Sequence, residues 1–129
     1  MNPHTASPVA LPRGAVFTML GIAGSDATLG VDVARSWRQR LRGWLGRMQA
    51  PVGRGLLILR CDAVHTIGMR FPIDLVFIDA GGRILRIDHR VPPWRLRLCL
   101  GAHSVLELAA GEARRLQIVS GDFIERRRM

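Results

Sequence analysis

The chain has 129 residues, 48% of them hydrophobic, with 19 basic residues against 10 acidic ones and a formal charge of +9. That size suits one domain burying roughly 68% of its unfolded surface, and no run of about 18 apolar residues is present to form a membrane-spanning helix. Two cysteines, Cys61 and Cys99, are too few for a disulfide framework and read as free thiols of a reducing cytoplasm.

Residues 1–13 carry Pro3, Pro8 and Pro12 among small and polar residues and read as a flexible leader. Arg13 and the apolar stretch after it begin too late for a signal peptide and contain Thr18 and Gly21. Gly14 to Ala23 reads instead as a first strand, closed by a turn at Gly24 to Ala27. Leu29, Val31 and Val33 alternate with Gly30 and Asp32, the period of a half-buried strand. Ser36 and Gln39 have capping-box spacing, which starts a helix at Trp37. Trp37, Leu41, Trp44, Leu45 and Met48 then form one apolar stripe, and Gly43 and Gly46 end regular helix near Leu45.

Pro51 to Gly55 is a turn, and Leu56 to Leu59 a buried strand. The stretch from Cys61 to Ile84 reads as one buried β-hairpin. Within it Ile73, Leu75 and Phe77 share one strand face and Asp74, Val76 and Ile78 the other, so this strand is central. Asp79 to Gly82 supplies the hairpin turn, and Arg83 to Val91 returns. Pro92, Pro93 and Trp94 break that strand. Arg95 to Leu100 alternates as a short strand or irregular crossing, whose apolar side either covers the core or faces a partner. Ser104 to Ala109 is a strand, Glu112 to Gln117 one helical turn, and Phe123 to Glu125 a last short strand. Residues 126–129 form a basic tail. The fold class expected is mainly β (α+β), a compact single-domain antiparallel β sandwich or squat barrel over residues 14–125 with one short amphipathic helix.

Asp74 is the sharpest position, since a carboxylate between Ile73 and Leu75 on a central strand loses several kcal/mol of solvation unless paired or hydrogen-bonded. It either accepts from backbone amides or bridges to an arginine, Arg40 and Arg70 being the candidates, to hold the hairpin against its neighbour, or it is a functional carboxylate. His65 and Thr66 precede the strand in an expected loop, where an imidazole is placed either for general acid–base work or as a backbone anchor. Cys61, His65 and Met69 are spaced by four and carry soft ligand atoms, but a loop does not present helical spacing, and no metal is expected. Glu107 lies between Leu106 and Leu108. It either faces outward or, if its strand neighbours that of Asp74, joins Asp74 and His65 in a polar pocket. No nucleophile elbow, phosphate loop or dinucleotide fingerprint occurs, so no cofactor is implied.

All 19 basic residues are arginine. Such a surface attracts an acidic protein or a phosphate-bearing ligand over a Debye length of about 8 Å, although exclusive use of arginine also follows from genomic base composition. No RNA- or DNA-recognition motif accompanies the charge, so specific nucleic-acid binding is not expected.

Between Val31 and Ile124 the chain resembles the domain-of-unknown-function 192 family of bacterial and archaeal proteins. The likeness rests on Ala34, Arg40, Gly43 and Arg47, on His65-Thr66 with Met69, on Pro72-Ile73-Asp74 with Phe77 and Asp79, on Leu106-Glu107 with Gly111, and on Gly121-Asp122. It implies a compact mainly β fold with a short helix laid across it, and convergence of Arg40, His65, Thr66, Met69, Asp74 and Glu107 on one face. Trp44-Leu45 and His65-Thr66 depart from the usual family words, the latter standing where relatives carry an aromatic pair, which argues against an obligatory catalytic histidine. The leading reading is a small non-enzymatic binding or accessory domain with a polar pocket around His65 and Asp74. The alternatives are a hydrolase or lyase-like enzyme using His65 with Asp74 or Glu107, and a phosphate-binding surface of arginines.

Overall fold

The computed structural model describes residues 16–35, 44 and 48–127. The expected leader, the helix from Trp37 and Arg40 lie outside the described residues. Among the described residues nine strands and one short helix follow in chain order: β1 (Val16–Ile22), β2 (Thr28–Ala34), β3 (Arg54–Leu59), β4 (Ala63–His65), β5 (Ile73–Ile78), β6 (Ile84–Val91), β7 (Leu96–Leu98), β8 (Ser104–Ala109), α1 (Glu112–Arg115) and β9 (Ile124–Arg127). No helix of the described residues is long and apolar enough to cross a membrane.

Seven strands form one sheet in the order β6-β5-β8-β3-β2-β1-β9, while β4 and β7 form a separate ribbon. The mainly β expectation holds, with three differences. First, β2 and β3 are parallel, which requires a long crossover between them; residues 35–53 supply it. Second, the stretch from Cys61 to Ile84 is not one hairpin. Its first strand, β4, pairs with β7, and only β5 joins β6 in the main sheet. The β9 strand also runs further than expected, pairing Arg126 and Arg127 with Leu20 and Met19.

The sheet curls into a half-barrel because its first and last strands meet. Arg83 bridges Phe123, and Ile124 N–H donates to Gly82 O at 2.8 Å. Gly82 makes this closure possible: its φ is +92°, and a Cβ there would stand 2.7 Å from Ile124 O, inside any real contact. Asp79 Oδ1 stabilises the preceding turn by accepting from the N–H groups of Gly81 and Arg83, both at 2.9 Å.

Period-2 alternation places a core on each side of the sheet. The concave side holds Leu20, Leu29, Val31, Val76, Ile84, Leu106 and Leu108, drawn from strands far apart in the sheet. The convex side holds Leu56, Ile73, Leu75, Phe77 and Val105, covered by Trp44, Val64, Met69 and Phe71. Trp44 meets Phe71 edge-on, with ring centroids 6.2 Å apart. Each of these side chains, fully buried, contributes about 1.5–3 kcal/mol. All six residues of β5 and all six of β8 are buried, because both strands lie inside the sheet and have a core on either face.

Candidate functional site

Asp74 sits opposite an irregularity in the β5–β6 ladder. Ile73 pairs with Val91 but Leu75 pairs with Asp88, so His89 and Arg90 together face the one residue Asp74, as in a β-bulge. Arg90 has φ +51°, and its N–H donates to Asp74 Oδ1 at 2.9 Å. The other oxygen, Oδ2, accepts from Gly111 N–H at 3.1 Å and Ala113 N–H at 3.0 Å. The carboxylate thus ties the bulge to the start of α1, and three backbone donors replace the water that burial removed. Gly111 lies at φ +91°, and a Cβ on it would come within 3.2 Å of Arg90 Nη2. Asp74 itself is 0% exposed.

Asp74 and Glu107 lie on adjacent strands but on opposite faces of the sheet. In the register, Asp74 faces Leu108 and Leu75 faces Glu107, and directly opposed side chains of an antiparallel pair share a face. Asp74 therefore belongs to the concave side with Leu108, and Glu107 to the convex side with Leu75. Glu107 is wholly buried, where an outward-facing glutamate was one expectation. Its row also carries Leu56 and Asp32 on the next two strands. Asp32 accepts a bidentate pair from Arg54, at 2.8 and 3.1 Å, and the guanidinium of Arg54 lies 4.8 Å above the ring centroid of Phe17.

Thr66, also 0% exposed, pins the loop leading into β7. Its hydroxyl donates to Pro92 O at 2.7 Å and accepts from Arg95 N–H at 2.9 Å, while Trp94 N–H donates to Thr66 O at 3.1 Å. These bonds hold Trp94 at φ +65°, a conformation rare for a bulky residue. Met69 is buried beneath the ribbon in the convex core. His65 ends β4, and its Nδ1 accepts from Ile67 N–H at 3.3 Å, which leaves the ring proton of the neutral tautomer on Nε2. Cys61 Sγ donates to Ala63 O. Arg70, a candidate partner for Asp74, places its guanidinium against Met48 Sδ at 3.0 Å.

The β4–β7 ribbon carries the feature that sequence reasoning left open. Opposed pairs Ala63–Leu98 and His65–Leu96 share one face, and Val64–Arg97 share the other. Val64 is buried, so the first face points outward. There Leu96 is 69% exposed, Leu98 53%, the neighbouring Trp94 67% and Ile67 49%. The signal was present in the alternation of Leu96, Leu98 and Leu100 with Arg95, Arg97 and Cys99, but alternation does not say which side is inward. Arginines satisfy the carbonyls of this face: Leu98 O accepts from Arg86 Nη2 at 2.9 Å, Leu96 O from Arg97 Nη1 at 3.1 Å, and Trp94 O from Arg95 Nη1 at 3.3 Å. Asp88 accepts both Nε and Nη2 of Arg86 and lies 3.6 Å from Arg97 Nε.

A small cleft is lined chiefly by Leu20, Ile22, Leu29, Leu106, Ile118 and Ile124, with no titratable side chain among the described residues that line it. Of the predicted pocket residues, the five that lie among the described residues, His65, Thr66, Met69, Asp74 and Glu107, do not line it. Near it, Glu112 is held below its ordinary carboxyl value of 4.5 by the Arg115 guanidinium, against the opposing effect of burial and with help from Gly53 N–H.

A protein-family profile, DUF192, described as an uncharacterized ACR, matches residues 19–126. No curated protein matches the chain. Among solved structures, a candidate transcription regulator from Sinorhizobium meliloti 1021 is 25% identical, with a TM-score of 0.77 over 87% of this chain and 95% of that one. A protein of unknown function from Novosphingobium aromaticivorans DSM 12444 is 22% identical, with a TM-score of 0.74 over 94% of each chain. Both share the fold described above.

Proposed function

The chain belongs to the domain-of-unknown-function 192 family, and from that premise we propose that it is a small binding or accessory domain, not an enzyme, and that it binds through the outward face of the β4–β7 ribbon. The observation that carries the reading is the apolar face made by Ile67, Trp94, Leu96 and Leu98, exposed on a ribbon whose conformation buried Thr66 enforces. Folding gains nothing from exposed leucines, whereas a binding surface does.

Thr66 and Asp74 direct their polar atoms to backbone groups, which also favours binding over catalysis. A general base needs its partner within about 2.6–3.2 Å or one water. Both oxygens of Asp74 already hold backbone amides, and Glu107 lies across the sheet from Asp74. An enzyme that pairs His65 with Asp74 would have to draw on a carboxylate whose two oxygens already hold three backbone amides.

Two measurements test the proposal. Replacing Leu96 and Leu98 together by serine is expected to change unfolding free energy by no more than about 0.5 kcal/mol, as for surface positions. A loss beyond about 1.5 kcal/mol would assign the two leucines to folding and remove the ribbon as a binding face. The purified protein is also expected to turn over no ester, phosphoester or glycoside above background. Turnover abolished by His65→Ala would make it an enzyme.

A further inference from the structure

We propose that the partner of the ribbon face is the surface of an anionic lipid bilayer, on which the chain docks with Trp94, Leu96, Leu98 and Ile67 toward the lipid. This rests on the reading of that face as the binding surface.

Three observations select a bilayer over another protein or a second copy of the chain. The first is charge. At +9 the chain repels its own copies, and Arg86, Arg95 and Arg97 all reach the ribbon, with Asp88 offsetting only one of the three positive charges. Apolar insertion and basic attraction together supply the two signals that stable peripheral binding requires.

The second is the state of the backbone acceptors. A protein strand added to the edge of β7 would need free carbonyls to receive its N–H groups. The carbonyls of Leu96 and Leu98 are already taken by Arg97 and Arg86, and that of Trp94 by Arg95. Lipid phosphates and ester carbonyls are acceptors, so they do not compete for these oxygens, and the guanidinium groups have further N–H donors for them. A face with its acceptors satisfied from within is suited to a phase that lacks donors.

The third is the display of Trp94. A strained left-handed backbone holds its indole outward at 67% exposure, and a buried threonine maintains that geometry. An indole body with a polar N–H is the side chain favoured at headgroup depth. Asp62, exposed at the opposite end of the ribbon from Trp94, places the Trp94 end nearer the anionic surface.

The test is co-flotation of the full chain with vesicles of equal phosphatidylglycerol and phosphatidylcholine, and with phosphatidylcholine alone. Binding is expected to the anionic vesicles only, weakening about fivefold for Arg95→Gln. It is expected to fall about tenfold or more with Leu96→Asp or Trp94→Ser. Brominated lipid should quench tryptophan emission in the wild type, and Trp94→Phe should remove that quenching while retaining binding. Urea midpoints of each variant, matched to the wild type, separate lost contact from lost fold.

Anionic binding that survives Leu96→Asp and Trp94→Ser unchanged would be charge adsorption and would overturn the proposal. So would a dimer in sedimentation that Leu96→Asp dissolves, since the face would then be covered by a second copy. If no vesicle binds while the Leu96/Leu98 serine variant keeps its stability, the lipid assignment falls and the ribbon belongs to a protein partner. A destabilised serine variant would instead overturn the underlying reading of the face.

Discussion

Replacing Asp74 by asparagine removes a charge but almost no volume, and so isolates what its carboxylate does. The wild-type side chain receives Arg90 N–H on one oxygen and the N–H groups of Gly111 and Ala113 on the other, at 2.9 to 3.1 Å. Hydrogen bonds to a charged acceptor are each worth about 1.5–3 kcal/mol. Asparagine does best by turning its carbonyl toward Gly111 and Ala113, which sets its own NH2 against the amide of Arg90. One charge-assisted bond is lost, a donor faces a donor, and the two remaining bonds become neutral ones. We expect a loss of about 2–4 kcal/mol, a large part of the roughly 5–15 kcal/mol that holds a domain together.

Asp74→Ala strands all three donors and is expected to leave little folded protein. In urea, with a slope of about 2 kcal/mol per molar, a 3 kcal/mol loss moves the midpoint down by about 1.5 M. Amide exchange should accelerate most at Arg90, Gly111 and Ala113, the bulge and the start of α1. A midpoint for Asp74→Asn within about 0.3 M of wild type would refute the view that this carboxylate brackets the two segments, and would return Asp74 to the candidates for a functional role.

Thr66→Val keeps the shape of the side chain and deletes the hydroxyl that joins Pro92 O to Arg95 N–H. A cost of about 1–3 kcal/mol is expected in urea unfolding, with faster amide exchange at Arg95; unchanged exchange there would remove Thr66 as the clamp of the Trp94 loop. Glu112 has a lowered carboxyl pKa because Arg115 pairs with it, so its contribution is present above the unfolded value and is lost as pH falls through the lower folded value. The stability gap between wild type and Glu112→Gln should therefore be constant near neutrality and shrink below about pH 4. Urea midpoints at several pH values check this, and a gap that does not narrow with acid would mean that the pair with Arg115 does not form.

Strand positions were legible in the sequence wherever alternation was clean, because a half-buried strand must repeat every second residue. The run from Ile73 to Ile78, apolar on both faces apart from Asp74, could only be a strand with cores on either side, and β5 is that strand. The Asp79–Gly82 turn was legible for a similarly local reason: the side chain of Asp79 and the freedom of Gly82 act within four residues. Burial of Asp74, with its need for hydrogen-bond partners, likewise followed from its apolar neighbours.

What periodicity cannot contain is a relation between two distant segments, and the candidate site depended on such relations. Whether Asp74 and Glu107 share a face turns on a single residue of register, since a shift by one reverses every side chain. The observed register separates them. The donors to Asp74 come from 16 to 39 residues away, and the Arg90 donor exists only because a bulge releases it from the ladder. The alternation from Arg95 to Leu100 was written in the sequence, but its inward side was decided by the pairing of β7 with β4 over the convex core. Local sterics and hydrophobic period thus determined which residues are strands, turns and buried positions, while pairing across the fold decided which polar groups meet and which leucines are left facing out.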